Sequence, residues 1–253
     1  MNKYVISNKF EDEKSKIIEL IVECGHIDIF RAFSVLIDNS DILNKLLNVA
    51  LLNRRFDVFK DLHTIMNKNN YTVDNKSLFI KAGKIGHKTM LKYLVGFIDE
   101  DYFEFKDNLK NSILNLVVSY GDQDLVKYVI SLNPTVSQLN NKNAYGIFRF
   151  IFTLCSTFIA AMAEYYDVFK YLCSLDGVDV NCTDCSKITP LHYCAKRDLF
   201  GLVNILIKHE RIILNPKDID DVLFITFYKT PLDLSREAFH TRMTKYLENI
   251  YKI

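Results

Sequence analysis

The sequence of 253 residues predicts an all-α solenoid of about seven stacked helix-turn-helix units joined by finger loops. Two observations support this prediction: a short apolar segment recurs along the chain, and a helix-start signal lies at a fixed distance before several of its copies. The hydrophobic fraction of 49% is ample for a buried core. Because one helical hairpin cannot bury its apolar face alone, we expect neighbouring units to stack.

The recurring segment is apolar at helical spacing and is best seen at Leu202–Leu206. Its other copies begin at residues 29, 58, 90, 125, 168 and 243, so successive starts lie 29, 32, 35, 43, 34 and 41 residues apart. Intervals of this size match one small helical hairpin. We therefore expect each copy to form the second helix of a unit.

The helix-start signal lies 13 residues before the recurring segment. Thr189 and Thr230 each begin a Thr-Pro-Leu at that distance, and the same step leads to Ser112, Ser77 and Lys45. A Thr or Ser side chain can cap a helix, and Pro is tolerated next because the first helical N–H has no partner within the helix. The sequence thus predicts that the first helix of each unit begins near this position.

Two finger segments are unusually long. One precedes the fifth copy of the recurring segment, which starts 43 residues after the fourth. The last finger contains an inserted, apolar Val-Leu-Phe-Ile-Thr-Phe-Tyr segment that includes Phe224 and Phe227. We expect these aromatic residues to be exposed anchors beside the sixth unit.

The stretch Thr189–Ala195, TPLHYCA, resembles the T-P-L-H-x-A signature of the ankyrin-repeat family. The preceding Asp179–Asn181 resembles the turn in the family's extended finger, and the likeness runs from about Lys16 to Tyr251.

The chain departs from the family at Lys187, where a glycine is usual, so this turn must adopt another backbone conformation or be strained. Gly146 keeps the family's glycine, and the resemblance therefore implies that the first helix of the fifth unit begins near Phe148 and is about two turns longer than the others.

This resemblance implies one solenoid over residues 1–253, with fingers on one side and a concave surface. Within it we expect an N-terminal capping repeat over residues 1–40 and central repeats over residues 41–215. Residues 216–253 are expected to hold the inserted finger and a C-terminal capping repeat, since terminal units need a more polar outer face.

Composition excludes several classes of function. The formal charge is +1, from 32 basic and 31 acidic residues, so there is no broad field to attract nucleic acid or an anionic membrane. No apolar stretch predicts a signal peptide or a membrane span. The six scattered cysteines favour a reducing compartment, so we expect a cytoplasmic protein, with the nucleus or a host cytosol as alternatives.

One group of residues has the chemistry of a zinc site. Cys182 and Cys185 have the spacing of a ligand pair, and His192 and Cys194 follow. However, there is no second pair of matching spacing, and the resemblance implies that His192 braces its own turn through hydrogen bonds. We therefore expect no metal, no cofactor and no catalytic site, and no catalytic motif is found.

The function implied by the resemblance is protein binding, without catalysis, by a chain expected to be a monomer. The expected partner-binding residues lie on fingers, insertions and first helices: Asp184, Lys187, Tyr193, Lys196, Arg197, Tyr145, Phe224 and Phe227. Two alternatives are open at this point. One is a zinc- or redox-sensing protein that uses Cys182, Cys185, His192 and Cys194, and the other is a purely structural repeat array.

Overall fold

The structure is a computed structural model that describes residues 3–35, 37, 39–98, 101–143, 145–147, 150–152, 154–214 and 229–252. Side chains are described throughout these ranges except at residues 3–13, 145–147 and 150–152. By its internal contacts the chain divides into two compact units, Met1–Glu100 and Asp101–Ile253. The predicted boundaries at residues 40 and 215 stay a prediction.

Unit 1, Met1–Glu100, contains three helix pairs. Its helices are α1 (Lys3–Cys24), α2 (Ile27–Ser34), α3 (Ser40–Leu52), α4 (Phe56–Lys68), α5 (Asn75–Lys84) and α6 (Lys88–Val95). The first helices stack in the order α1, α3 and α5, and α2 packs on α4. The stack buries large side chains completely, among them Phe30, Phe59 and Phe79. Burial of such side chains stabilises the folded chain by about 1.5–3 kcal/mol each.

Unit 2, Asp101–Ile253, contains four helix pairs, one short extra helix and one hairpin in its described residues. The elements are α7 (Ile113–Tyr120), α8 (Gln123–Ile130), α9 (Val136–Leu139), β1 (Tyr145–Ile147), β2 (Phe150–Phe152), α10 (Ser156–Met162), α11 (Tyr166–Cys173), α12 (Pro190–Lys196), α13 (Phe200–Ile207), α14 (Pro231–Glu237) and α15 (Thr241–Tyr251). First helices α7, α10, α12 and α14 stack in this order, as do second helices α8, α11 and α13. The predicted fold class, an all-α ankyrin-like solenoid, is confirmed.

The turn inside every helix pair contains one residue with a left-handed backbone. These residues are Gly25, Arg54, Gly86, Gly121, Glu164, Asp198 and Phe239. In most pairs the next N–H then bonds back to a carbonyl in the last turn of the first helix, as Tyr165 does to Ala160 at 3.1 Å. This common geometry reverses the chain. Where the residue is not glycine, the left-handed conformation costs about 1–2 kcal/mol.

The predicted helix starts are confirmed in unit 2. Ser112, Thr189 and Thr230 are the residues that cap α7, α12 and α14, and each forms a capping box with the residue three positions later. In a capping box the two side chains satisfy N–H groups that have no partner in the helix. The 13-residue spacing therefore marks true helix starts in this unit.

In unit 1 the same step gives the wrong residues. Helix α5 is capped by Asp74, whose carboxylate accepts a hydrogen bond from Ser77 N–H at 3.0 Å, so Ser77 lies inside the helix. Helix α3 is capped by Asn39, and Lys45 lies within it. The first helices of unit 1 are longer than those of unit 2, so a fixed distance cannot find both sets of starts.

The predicted long helix in the fifth repeat is also wrong. Phe148 itself lies outside the described residues, but Tyr145–Ile147 and Phe150–Phe152 form an antiparallel hairpin. Helix α10 begins only at Ser156. Cys155 occupies its N-cap position and lies 13 residues before Val168. The extra residues of this repeat therefore lengthen the finger and leave the helix at its usual length.

Among the helices of the described residues, none is both long enough and apolar enough to cross a membrane.

Candidate functional site

Two fingers of unit 2 end in turns of the same construction, which we call finger tips (residues 107–111 and 184–188). In the first, the Asp107 carboxylate accepts hydrogen bonds from Leu109 N–H at 2.9 Å and from Asn111 N–H at 2.8 Å. Lys110 occupies the left-handed corner at φ 57°. Its N–H donates to the Asp107 carbonyl at 2.9 Å, and its side chain is exposed.

The second finger tip repeats this arrangement around Asp184. The Asp184 carboxylate accepts from Ser186 N–H and from Ile188 N–H, each at 2.9 Å. Lys187 takes the left-handed corner at φ 58° and is exposed. The left-handed backbone is strained for a lysine, as expected at a position where the family usually has glycine. Both finger tips thus use a buried or half-buried aspartate to hold a lysine outwards.

Asp184 therefore has a structural role in its own turn. Its side chain is only 7% exposed. Burial raises the pKa of this carboxyl above its ordinary value, against the lowering by the backbone N–H groups of Ile188 and Ser186. Its predicted contact with a partner stays a prediction, and a buried carboxylate engaged by its own loop has little surface to offer.

The sixth repeat begins with a network centred on His192. Its Nδ1 accepts from Thr189 N–H at 3.1 Å, while Nε2 lies 3.1 Å from the carbonyl oxygen of Lys229. Nδ1 must therefore be unprotonated and Nε2 must carry the hydrogen that it donates to Lys229. The histidine closes its own capping box and also bonds to the residue that precedes the next cap, Thr230. These bonds provide the predicted turn-bracing role.

Comparison with known families agrees with this geometry. Residues 157–249 match the family described as ankyrin repeats, in three copies. This part of the chain consists of ankyrin repeats. The match begins in α10 and ends in α15, so it spans the last three helix pairs of unit 2. A comparison with curated proteins found no match.

The proposed zinc ligands are not brought together in the ankyrin repeats. Cys182 forms a disulfide with Cys155, a residue that the sequence analysis did not pair with it. Cys185 is exposed at the finger tip, whereas Cys194 is fully buried in α12, and burial raises the pKa of its thiol. Both nitrogens of His192 are engaged. No group of three or more potential metal ligands occurs among the residues that the structure describes.

The disulfide belongs to an apolar cluster between the fifth and sixth ankyrin repeats. Cys155 and Cys182 are almost completely buried beside Leu154 and Phe158. Tyr193 packs against this cluster, with its ring centroid 5.9 Å from that of Phe158. Tyr193 is thus half-buried, and part of its area stabilises the stack instead of facing solvent.

The remaining predicted partner-binding residues differ in position. Lys196 and Arg197 are exposed at the end of α12, and Arg197 lies 3.7 Å from Glu164. Tyr145 lies in β1, and its side chain is outside the described residues, as are Phe224 and Phe227 entirely. Contact with a partner stays a prediction for all of them.

Sequence reasoning missed two lysines on the fingers of unit 2. Lys110 is the counterpart of Lys187, and the shared Asp-x-x-Lys spacing in the two fingers was available as a signal. Lys142 donates a hydrogen bond through Nζ to the Thr183 carbonyl at 2.7 Å, which joins two successive fingers. Its role depends on a contact between repeats and has no local signature.

Proposed function

We propose that this chain is a non-catalytic protein-binding module that holds a protein partner on the two finger tips and the exposed end of α12. The observation that supports this is the duplicated finger tip. Asp107 and Asp184 satisfy the backbone of each turn internally, and Lys110 and Lys187 extend outwards from the same position. Preorganised loops lose little conformational entropy on binding, which favours affinity.

The charge pattern supports a protein partner over a nucleic acid. The finger tips and the end of α12 contribute Lys110, Lys187 and Lys196, while the chain as a whole has a formal charge of only +1. A few exposed cations on a nearly neutral chain suit carboxylates on a protein, since phosphate binding needs a wider basic surface. Ankyrin repeats generally bind proteins, which agrees with this proposal.

We further propose that the chain acts as a monomer without cofactor, as the sequence predicts. The expected cytoplasmic location also stays a prediction. The Cys155–Cys182 disulfide argues against a cytoplasmic location, because disulfides persist mainly in oxidising compartments.

The proposed function can be tested by selection from a displayed library of random 16-residue peptides on the immobilised full chain. We expect binders whose affinity falls at least tenfold when Lys110 and Lys187 are both replaced by Glu, and whose binding weakens as salt concentration rises. Because both lysine side chains are exposed, the double variant should fold normally, which circular dichroism would check.

A matched control changes the same charge on second helices. Lys170 in α11 and Lys208 at the end of α13 are exposed residues of unit 2. They belong to second helices and not to the finger tips. Replacing both by Glu should leave the affinity within twofold. Binders that lose affinity only with the control pair would show that the partner contacts second helices, and our proposal would be wrong.

A further inference from the structure

Unit 2 contains a cavity of about 370 Å³ beside the first finger tip. Its walls come from helices α7 and α10, from the finger tip and from the two residues that flank the β1–β2 hairpin. The lining includes Leu109, Asn111, Ser119, Asn143, Leu154 and Met162. Ligand pockets in proteins span roughly 300–1,000 Å³, so this cavity is at the small end of that range.

The polar side chains of the cavity are already engaged by the protein. Asn143 donates to the Asn111 side-chain oxygen at 2.7 Å and accepts from Leu154 N–H at 2.9 Å. The amide of Asn111 donates in turn to Asp107 at 3.0 Å, and the Ser119 hydroxyl donates to the Leu116 carbonyl at 2.7 Å. An occupant is therefore not needed to satisfy these groups, and an apolar one loses no hydrogen bond on entry.

The mouth of the cavity is apolar and open to solvent. Leu109 is 44% exposed and Met162 is 42% exposed, although both are large hydrophobic side chains. Exposed apolar side chains that border a cavity are typical of binding sites, because covering them releases hydration water. Methionine also adapts its shape readily to different partners.

Two lysines adjoin lining residues of the cavity in the chain, and a third lies on the finger that Lys142 contacts. Lys110 lies between the lining residues Leu109 and Asn111, and Lys142 directly precedes Asn143. The bond from Lys142 Nζ to the Thr183 carbonyl places Lys142 beside the residue that precedes the second finger tip, which contains Lys187. In the described part of unit 2, the cations that form ion pairs with carboxylates are Arg197, Lys229 and Arg236, and not these three lysines. An occupant with carboxylates beside its apolar group would complement these three lysines.

We propose that this cavity takes one apolar side chain, of leucine or phenylalanine size, from an acidic segment of a partner protein, whose carboxylates pair with Lys110, Lys142 and Lys187. This rests on the proposed function and names the chemistry of the partner. The apolar side chain supplies affinity in the cavity, and the charged rim supplies encounter rate and selectivity.

A panel of three labelled peptides tests this proposal by fluorescence anisotropy on the full chain. The probe contains one leucine between two runs of three glutamates; the second peptide replaces the leucine by alanine, and the third replaces the glutamates by lysines. We expect the probe to bind at least tenfold more tightly than either of the others. Equal affinity for the alanine peptide would overturn the proposal.

The cavity itself is tested by Met162→Glu, which places a negative charge at its mouth, with Leu109→Glu as a second variant. Both side chains are substantially exposed, so folding should tolerate the changes. Each should weaken probe binding at least tenfold, whereas Phe239→Glu, at a site that is 91% exposed and does not line the cavity, should leave it unchanged. Equal loss in Phe239→Glu, or no loss in either cavity variant, would overturn the cavity as the site.

The library selection described above separates failure of this proposal from failure of protein binding. Selected binders that depend on Lys110 and Lys187 but are insensitive to Met162→Glu would overturn the cavity proposal and leave the proposed function standing. If the selection yields no binder and the probe also fails to bind, both proposals are wrong.

Discussion

The fifth and sixth repeats begin their first helices at the same position by different chemistry. In the sixth, Thr189 caps α12 and His192 closes the capping box. In the fifth, Cys155 holds the cap position of α10, where its sulfur lies 3.0 Å from the Thr157 hydroxyl oxygen but accepts no hydrogen bond from a helix N–H, and Phe158 stands where the histidine would be. A polar network in one repeat is thus replaced by sulfur and aromatic side chains in the other.

Both arrangements join one repeat to the next. His192 donates to the carbonyl of Lys229, which precedes the seventh repeat's cap. Cys155 is bonded to Cys182, which lies in the finger of the sixth repeat. The cap position therefore stabilises the interface between neighbours as well as the helix, and neighbour interfaces contribute much of a solenoid's stability. A repeat that loses its polar cap can keep the interface by a covalent bond.

The largest effect should come from breaking the disulfide. Replacing Cys155 and Cys182 by Ser should lower the free energy of unfolding by about 3 to 4 kcal/mol, from loop-closure entropy at a sequence separation of 27. Urea unfolding, with and without dithiothreitol, measures this. Dithiothreitol should destabilise the natural chain and leave the double variant unaffected.

The matched control for the disulfide is Cys185→Ser, an exposed cysteine three residues from Cys182. This variant should unfold at the same urea concentration as the natural chain. If reduction changes nothing in any of the three proteins, the fifth repeat is not joined covalently to the sixth, and the disulfide does not replace the polar cap.

A smaller loss of stability is expected when the hydrogen bonds of His192 in the sixth repeat are removed. His192→Ala should lower the free energy of unfolding by about 1–3 kcal/mol, because it leaves Thr189 and the Lys229 carbonyl without their partner in a buried site. Chelators should not alter the unfolding curve. Stoichiometric zinc in the purified protein, lost on this substitution, would instead restore the metal-site alternative. His209→Ala serves as a comparison outside the network.

The smallest effect concerns the finger tip of the sixth repeat. Lys187→Gly should raise stability by up to about 1 kcal/mol, because the left-handed backbone at φ 58° is strained for lysine and natural for glycine. Thermal unfolding would detect the shift. Ser186→Gly, a neighbouring residue without a positive φ, should not stabilise the protein, and a gain there equal to that at Lys187 would remove strain as the cause.

The sequence predicted features that depend on local chemistry. The Thr-Pro-Leu motifs at Thr189 and Thr230 identified helix starts, because capping needs only residues that are close in the chain. Asp74 and Asn39 were missed because an aspartate or asparagine cap has no proline or fixed spacing to mark it. The turn-stabilising role of Asp184 was not predicted, although its bonds to residues two and four positions later are also local.

Features that depend on contact between repeats were not predictable in this way. Cys182 has a cysteine three residues away, yet its partner is Cys155, because the stacking of helices decides which fingers meet. The sequence predicts helix from near Phe148, whereas Phe150–Phe152 is a strand paired with Tyr145–Ile147, since a short apolar and aromatic segment fits both periodicities. The cavity beside it requires both the hairpin and two helices in place.

The most direct test of the central claim, that finger tips of unit 2 hold a protein partner, is hydrogen exchange of the full chain with and without a selected peptide. Our account predicts slower exchange on binding at residues 107–111 and 184–188, and unchanged exchange in second helices α8, α11 and α13. Protection confined to those second helices, with both finger tips unaffected, would contradict it.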